Sequence, residues 1–263
     1  MAIEAITLAL DGVIFDTEDA HLRACNAAFA ACGLDLHWSL AQWRAAARVR
    51  GATNAVGAAL EQLGVHAADP RAAVLAAERS RLFHAHLLAQ PPLRSAGCAQ
   101  LMADALESGC KLAVVTDMPV PGVTALLDHA FGAAVTNMFS VVVGGADFST
   151  PSGNGPYSLA LRTMGANAAN CVAIDASVPG LRAAQQAGIW TMAVTSYEKD
   201  IARISGADIW CPQMLELCDL VERNGSARPR PQRFVTFDAL SAFKSCRPPV
   251  PVLKTPSTVQ LAG

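Results

Sequence analysis

Apolar residues recur along this chain in two rhythms. Residues 3–10 (Ile-Glu-Ala-Ile-Thr-Leu-Ala-Leu) form a short apolar run that stops at Asp11-Gly12, which predicts a buried strand ending in a turn. From Asp16 to about Leu88 the rhythm changes. Leu22, Cys25, Phe29 and Cys32 recur at three- and four-residue intervals, the spacing of an amphipathic helix. Gly33, Gly51 and Gly64 punctuate this alanine-rich stretch and divide it into four or so short helices. Gln90-Pro91-Pro92 closes it, since consecutive prolines remove backbone donors and favour extended chain.

Strand and helix patterns then alternate. Strands are expected at Lys111–Thr116, Phe139–Val143, Cys171–Ile174, Trp190–Val194 and Ala207–Trp210. Between and after them, helices are expected near Pro121–Ala130, Tyr157–Met164, Val178–Gly188, Glu198–Ile204 and Met214–Glu222. Short apolar strands alternating with helices imply an α/β fold, a Rossmann-like parallel sheet covered on both faces. Ligands of such sheets sit at the carboxyl ends of the strands. The pattern divides the chain into an α/β core (1–16 and 93–223), a helical insertion (17–92) and a tail (224–263). The tail carries Arg228-Pro-Arg-Pro-Gln-Arg233 and Arg247-Pro-Pro-Val-Pro251. It reads as an extended, proline-rich segment, either disordered or docked through Phe234, Phe237, Leu240 and Phe243.

Composition narrows the function classes. Of the 263 residues, 52% are hydrophobic and 16% charged, with a formal net charge of −2. No basic stripe points to nucleic acid, and no apolar run reaches the length of a membrane helix. A mean hydropathy of +0.30 favours self-association or an unknown protein partner to cover surplus apolar surface. The N-terminus lacks the pattern of a signal peptide, because Glu4 and Asp11 interrupt any apolar segment. The eight cysteines include no Cys-x-x-Cys pair, which suits reduced core thiols in a cytoplasmic protein.

The run Leu8-Ala-Leu-Asp-Gly-Val-Ile-Phe-Asp-Thr17 resembles the first motif of the haloacid-dehalogenase-like (HAD) phosphatases, Asp-x-Asp-Gly-(Thr/Val)-(Leu/Ile)-x-Asp-(Thr/Ser). Asp16-Thr-Glu-Asp-Ala-His21 and Gly33 resemble the start of the helical cap in the subgroup of β-phosphoglucomutase and phosphoglycolate phosphatase. Arg50-Gly51-Ala-Thr53 resembles its substrate-screening loop, and Thr116-Asp117 its second motif. Cys171-Val-Ala-Ile-Asp-Ala-Ser177 and the segment through Gly188 resemble the fourth motif and its helix. The resemblance covers residues 3–222 and implies a four-helix-type cap at 17–92. It also implies Asp11 as acid/base, Thr116 as phosphate-binding hydroxyl, and Gly12, Asp117 and Arg50 as ligand-binding positions.

The implied chemistry needs an attacking carboxylate, a carboxylic acid that moves the proton, Mg²⁺ and a lysine. Only the acid is present. Ala9 stands at the nucleophile position, and Asp175-Ala176 replaces the acidic pair, leaving Asp175 as a weak metal candidate. Ser149-Thr-Pro-Ser-Gly-Asn-Gly-Pro-Tyr157 replaces a Lys-Pro-x-Pro-x-x-Tyr motif, and no Lys or Arg lies between Lys111 and Arg162. An engineered double alanine would not account for the rebuilt third motif. Dehalogenation fails on the same missing aspartate. A Schiff-base chemistry fails because residues 17–92 hold no lysine.

Each surviving residue also has a plainer role. Asp11 and Asp16 can cap a glycine turn, Thr116 and Asp117 a helix, and Asp175 the helix after its strand. Trp38, Trp43, Trp190 and Trp210 suit packing, and His84 and His86 lie on opposite faces of one helix. A cleft bounded by Asp11, Thr116 and Gly144-Gly145 could take a small ligand. The expectation is a pseudophosphatase without a cofactor, acting through a partner or self-association. The alternatives are a Mg-dependent hydrolase of small phosphorylated metabolites with a rearranged site, and a ligand sensor.

Overall fold

The computed structural model describes residues 3–52, 54–64, 69–132, 137–145, 155–194, 206–211 and 235–246. The chain begins with β1 (Ala5–Ala9), a two-residue β2 (Phe15–Asp16) and helices α1 (Glu18–Ala31), α2 (Leu40–Arg50), α3 (Val56–Gln62) and α4 (Pro70–Ala89). Next come β3 (Leu93–Arg94), α5 (Ala96–Glu107), β4 (Lys111–Val115), α6 (Val120–Phe131), β5 (Val141–Val143) and α7 (Pro156–Met164). After these follow β6 (Cys171–Asp175), α8 (Val178–Gln186), β7 (Trp190–Val194), β8 (Ile209–Cys211) and α9 (Phe237–Cys246).

Six strands form one parallel sheet in the order β5-β4-β1-β6-β7-β8. Central β1 is buried along its whole length, so Ala-Ile-Thr-Leu-Ala must suit both faces. On one face Ile6, Leu8, Val114, Ile174 and Met192 form the larger core. On the other, Ala5, Ala113 and Ala173 leave room for α7 to bring Tyr157, Leu161 and Met164 against the sheet. Period-two alternation thus sets a bulky face against a small-residue face.

Helices α1–α4 form a layer with its own core of Cys25, Phe29, Trp38, Trp43, Val56, Leu60 and Leu75. A Ser39–Gln42 capping box starts α2, and an Asp69 cap with proline in the first turn starts α4. The chain enters and leaves this layer through the antiparallel β2–β3 ribbon, with Phe15 opposite Arg94 and Asp16 opposite Leu93. The near ends of α1 and α4 drive Ala20, Ala24, Phe83 and Leu87 into the larger core. On the far side, Gly51 approaches Pro179 at the start of α8.

Two parts differ from expectation. The tail is not extended throughout: Phe237–Cys246 is helical and docks on the core. Val235 and Leu240 are fully buried, and Lys244 donates to the Ala169 carbonyl at 2.5 Å. Helix α5 and the β2–β3 ribbon have no counterpart in the periodicity reading. The helices expected at 198–204 and 214–222, Phe234 and loop residues 149–154 lie outside the described residues. Among the described residues no helix is long and apolar enough to cross a membrane.

Candidate functional site at the strand ends

The loops after β1, β4 and β6 meet at the carboxyl end of the sheet. Ala9 ends β1 in register with Val115 and is 7% exposed. The backbone then folds back tightly: Ile14 N donates to the Ala9 carbonyl, Phe15 N to Leu10 and Gly12 N to Phe15. Gly12 has φ +75°, and a Cβ on it would lie 2.7 Å from the Ala176 methyl. Glycine is therefore needed twice over, for the left-handed backbone and for close packing of the loop after β1 on that after β6.

Asp11 is held from the helical layer. Its Oδ1 lies 3.2 Å from His21 Nε2, and His21 Nδ1 contacts an Arg79 guanidinium nitrogen. Arginine only donates, so Nδ1 accepts, and the imidazole proton sits on Nε2, directed at Asp11. His21 and Arg79 are each 1% exposed, whereas Asp11 is 22% exposed. His21 stacks on Phe83 at 4.0 Å between ring centroids and on Trp43 at 5.7 Å. Burial pushes the His21 pKa down, beyond what the neighbouring Asp11 restores, so the ring is neutral. For Asp11, burial acts upward, but the hydrogen bond from His21, with help from Thr17 and the Arg79 guanidinium, holds the carboxyl below its ordinary value.

Other sequence-predicted residues have internal partners. Thr116 is buried, and its Oγ1 accepts from Met118 N at 3.2 Å, which caps the turn after β4. Asp117 follows it on the exposed rim. Asp175 accepts from Tyr157 Oη at 2.5 Å, Ser177 N at 2.7 Å and Ser177 Oγ at 2.9 Å. Burial raises its pKa against those bonds, and the tyrosine is pushed well above 10. Arg50, at the end of α2, pairs with Glu61. Gly144 and Gly145 pack against the turn at Met118–Val120. The site therefore brings Asp11, Gly12, Thr116, Asp117 and Asp175 together at the strand ends.

Magnesium requires oxygen ligands with coordination sites to spare. Positions 9 and 176 offer methyl groups, and both Asp175 oxygens already accept hydrogen bonds. Positions 9 and 176 thus supply no oxygen to the metal, and Asp11 and Asp175 are the carboxylates left at the strand ends.

Comparison with known proteins decides the family. The profile of the haloacid dehalogenase-like hydrolases matches residues 3–188. The chain belongs to the haloacid dehalogenase-like hydrolase family. Within it, the chain is 33% identical over 218 residues to the protein CbbY of Cereibacter sphaeroides, covering 82% of this chain and 94% of that protein. It is also similar to the crystal structure of a mutant CbbY from Rhodobacter sphaeroides in complex with xylulose-(1,5)bisphosphate. That match has a TM-score of 0.67 at 30% identity and covers 82% of this chain and 96% of the other. A β-phosphoglucomutase from Clostridium difficile shares the haloacid dehalogenase-like fold at TM-score 0.63 and 16% identity, covering 84% and 96% of the two chains.

Pattern reading did not assign His21 and Arg79 to the site. The signal was present. Leu75, Arg79, Phe83 and Leu87 fall on one buried stripe of α4, and a charge in an apolar stripe calls for a partner. Tyr157 was recognisable as a motif remnant, but its bond to Asp175 depends on tertiary geometry.

Proposed function

We propose that this haloacid dehalogenase-like protein does not hydrolyse phosphate esters, and that it works by binding a partner or a second copy of itself. Residues 17–92 serve as its cap. The observation that carries the reading is Ala9: β1 delivers a methyl group where the family's reaction requires a carboxylate. The surviving polar groups are committed to internal bonds, with Asp11 on His21, Thr116 on Met118 N, and Asp175 on Tyr157 and Ser177. Removing the nucleophile of a protease triad lowers kcat by roughly 10⁶, because such groups act as a unit.

Likeness to CbbY favours a second reading, a hydrolase of small phosphorylated metabolites such as sugar bisphosphates. Under it Asp11 or Asp175 takes over the attack. One experiment separates the two: phosphate release from xylulose bisphosphate and a sugar-phosphate panel, with Mg²⁺, by the natural chain and by Ala9→Asp with Ala176→Asp and Ser152→Lys. The non-hydrolytic reading expects no turnover by the natural chain and a gain in the restored variant. Turnover by the natural chain that vanishes in Asp11→Asn overturns it.

A further inference from the structure

The bond chain Asp11–His21–Arg79 joins two parts of the molecule. Asp11 belongs to the loop of the α/β core after β1, His21 to α1 and Arg79 to the middle of α4. Arg79 also donates to the Ala52 carbonyl at 3.3 Å. That carbonyl follows Gly51, where a Cβ would sit 3.8 Å from Pro179 in the first turn of α8. One guanidinium is thus bonded towards the core through His21 and towards the stretch that touches α8 through Ala52. Its flat face lies over Phe83, 4.7 Å from the ring centroid.

We propose that the Asp11–His21–Arg79 chain is a latch that holds the helical layer closed on the α/β core in the absence of any ligand. A cation 1% exposed is costly to bury unless an opposite charge balances it. Within this chain of bonds the only anion is Asp11, supplied by the core and reached through a neutral imidazole that is fixed between two aromatic rings. Swinging the layer away would separate Arg79 and His21 from that carboxylate while both remain buried among Trp43 and Phe83. It would also part Gly51 from Pro179. Closing needs no phosphate, metal or nucleophile, since every group in it belongs to the protein. The latch deepens the non-hydrolytic reading, because a layer closed without ligand hinders substrate entry and offers a partner one fixed surface.

Pulsed electron paramagnetic resonance tests this on the full chain without ligand, using spin labels on unnatural residues at the exposed positions Gln62 and Glu107. The natural chain should give one short-distance population. Arg79→Met and Asp11→Asn should each raise the long-distance population about tenfold or more, the scale set by losing a hydrogen bond that involves a charged group. Their combination should open no further than the more open single variant, whereas Arg79→Lys should stay closed because it still donates to His21. Amide protection in β1 and β4 certifies folding, and the part-exposed Asp11→Asn carries the test alone if Arg79→Met does not fold. Unchanged distances in both single variants, or a broad distribution in the natural chain, overturn the latch. Turnover by the natural chain overturns the non-hydrolytic reading but leaves these distances unaffected, so the two failures are distinguishable.

Discussion

Replacing Gly180 by alanine tests whether Asp175 is a bracket of the fold or a group able to face a ligand. Gly180 lies in the first turn of α8, behind the Ser177 cap. A Cβ there would sit 1.9 Å from Asp175 Oδ2, 2.5 Å from Cγ and 2.7 Å from Oδ1. Ordinary contact begins at 3.4 Å, so the carboxyl must move by about 1.5 Å. No movement of that size preserves bonds of 2.5, 2.7 and 2.9 Å to Tyr157 and Ser177. Each bond to a charged group contributes about 1.5–3 kcal/mol, and losing two of them outweighs the roughly 1 kcal/mol that alanine adds to a helix. We expect a net loss of about 3 kcal/mol, read as a lower urea midpoint and a Tm lower by roughly 6–12 °C. A variant as stable as the natural protein, or more stable by the helix-propensity gain, would refute the argument. It would mean that Asp175 yields without cost and is available to a ligand.

Two further outcomes follow from buried charge. His21 titrates below its usual 6.5 in the folded chain, so on acidification through 6.5 the unfolded chain binds a proton the folded one refuses, and stability falls. Asp11, held below 3.8, adds stability that is lost only as pH drops through its own lower value. Asp175, raised above 3.8, has the opposite sign and returns stability as it protonates. Urea midpoints from neutrality to mild acid should therefore decline more steeply near 6.5 in the natural chain than in His21→Gln, where His84, also lowered by burial, leaves a smaller decline; parallel curves would contradict the neutral assignment. At the other end of the molecule, Lys244→Met leaves the Ala169 carbonyl unpaired. It should cost about 1 kcal/mol and speed amide exchange in α9, and unchanged exchange there would show that the bond does not anchor the helix.

The sheet was legible because each parallel strand is a run with its own signature. Trp190–Val194 is all buried and bounded by Gly188 on one side. Four helices in residues 17–92 were equally legible from glycine spacing and apolar recurrence. Helix α5 was not, because Ala96-Gly-Cys-Ala99 opens it with small residues, and its stripe of Cys98, Leu101, Met102 and Ala105 begins just after a proline pair. The tail helix was masked by prolines on both sides, although Val235, Leu240 and Lys244 turn to one buried face. At the site, the absent carboxylates and lysine could be read letter by letter. The bonds of those that remain could not, since Asp11–His21 and Tyr157–Asp175 are matters of loop and helix placement.

That placement offers a physical reason for which motif letters this chain keeps. Asp175 holds Ser177 and Tyr157, and the first turn of α8 is built with a glycine so that the carboxyl fits. Thr116 caps the turn after β4, and Gly12 lets the loop after β1 lie against the one after β6. Asp11 anchors His21, through which Arg79 is reached. Each of these side chains, or the lack of one at Gly12, has structural work that persists without catalysis. Positions 9 and 176 differ. Ala9 closes the strand with a methyl against the core, and the Ala176 methyl packs against the same core beside Gly12. A carboxylate at either would add a negative charge to a site where Asp11 already raises the pKa of Asp175. Like charges so placed repel in a low-dielectric setting, by an amount that a single added methyl-to-carboxylate change would have to overcome. Ala9→Asp alone, or Ala176→Asp alone, should therefore lower the urea midpoint relative to the natural chain, and an unchanged midpoint would show that the added charge is accommodated without cost.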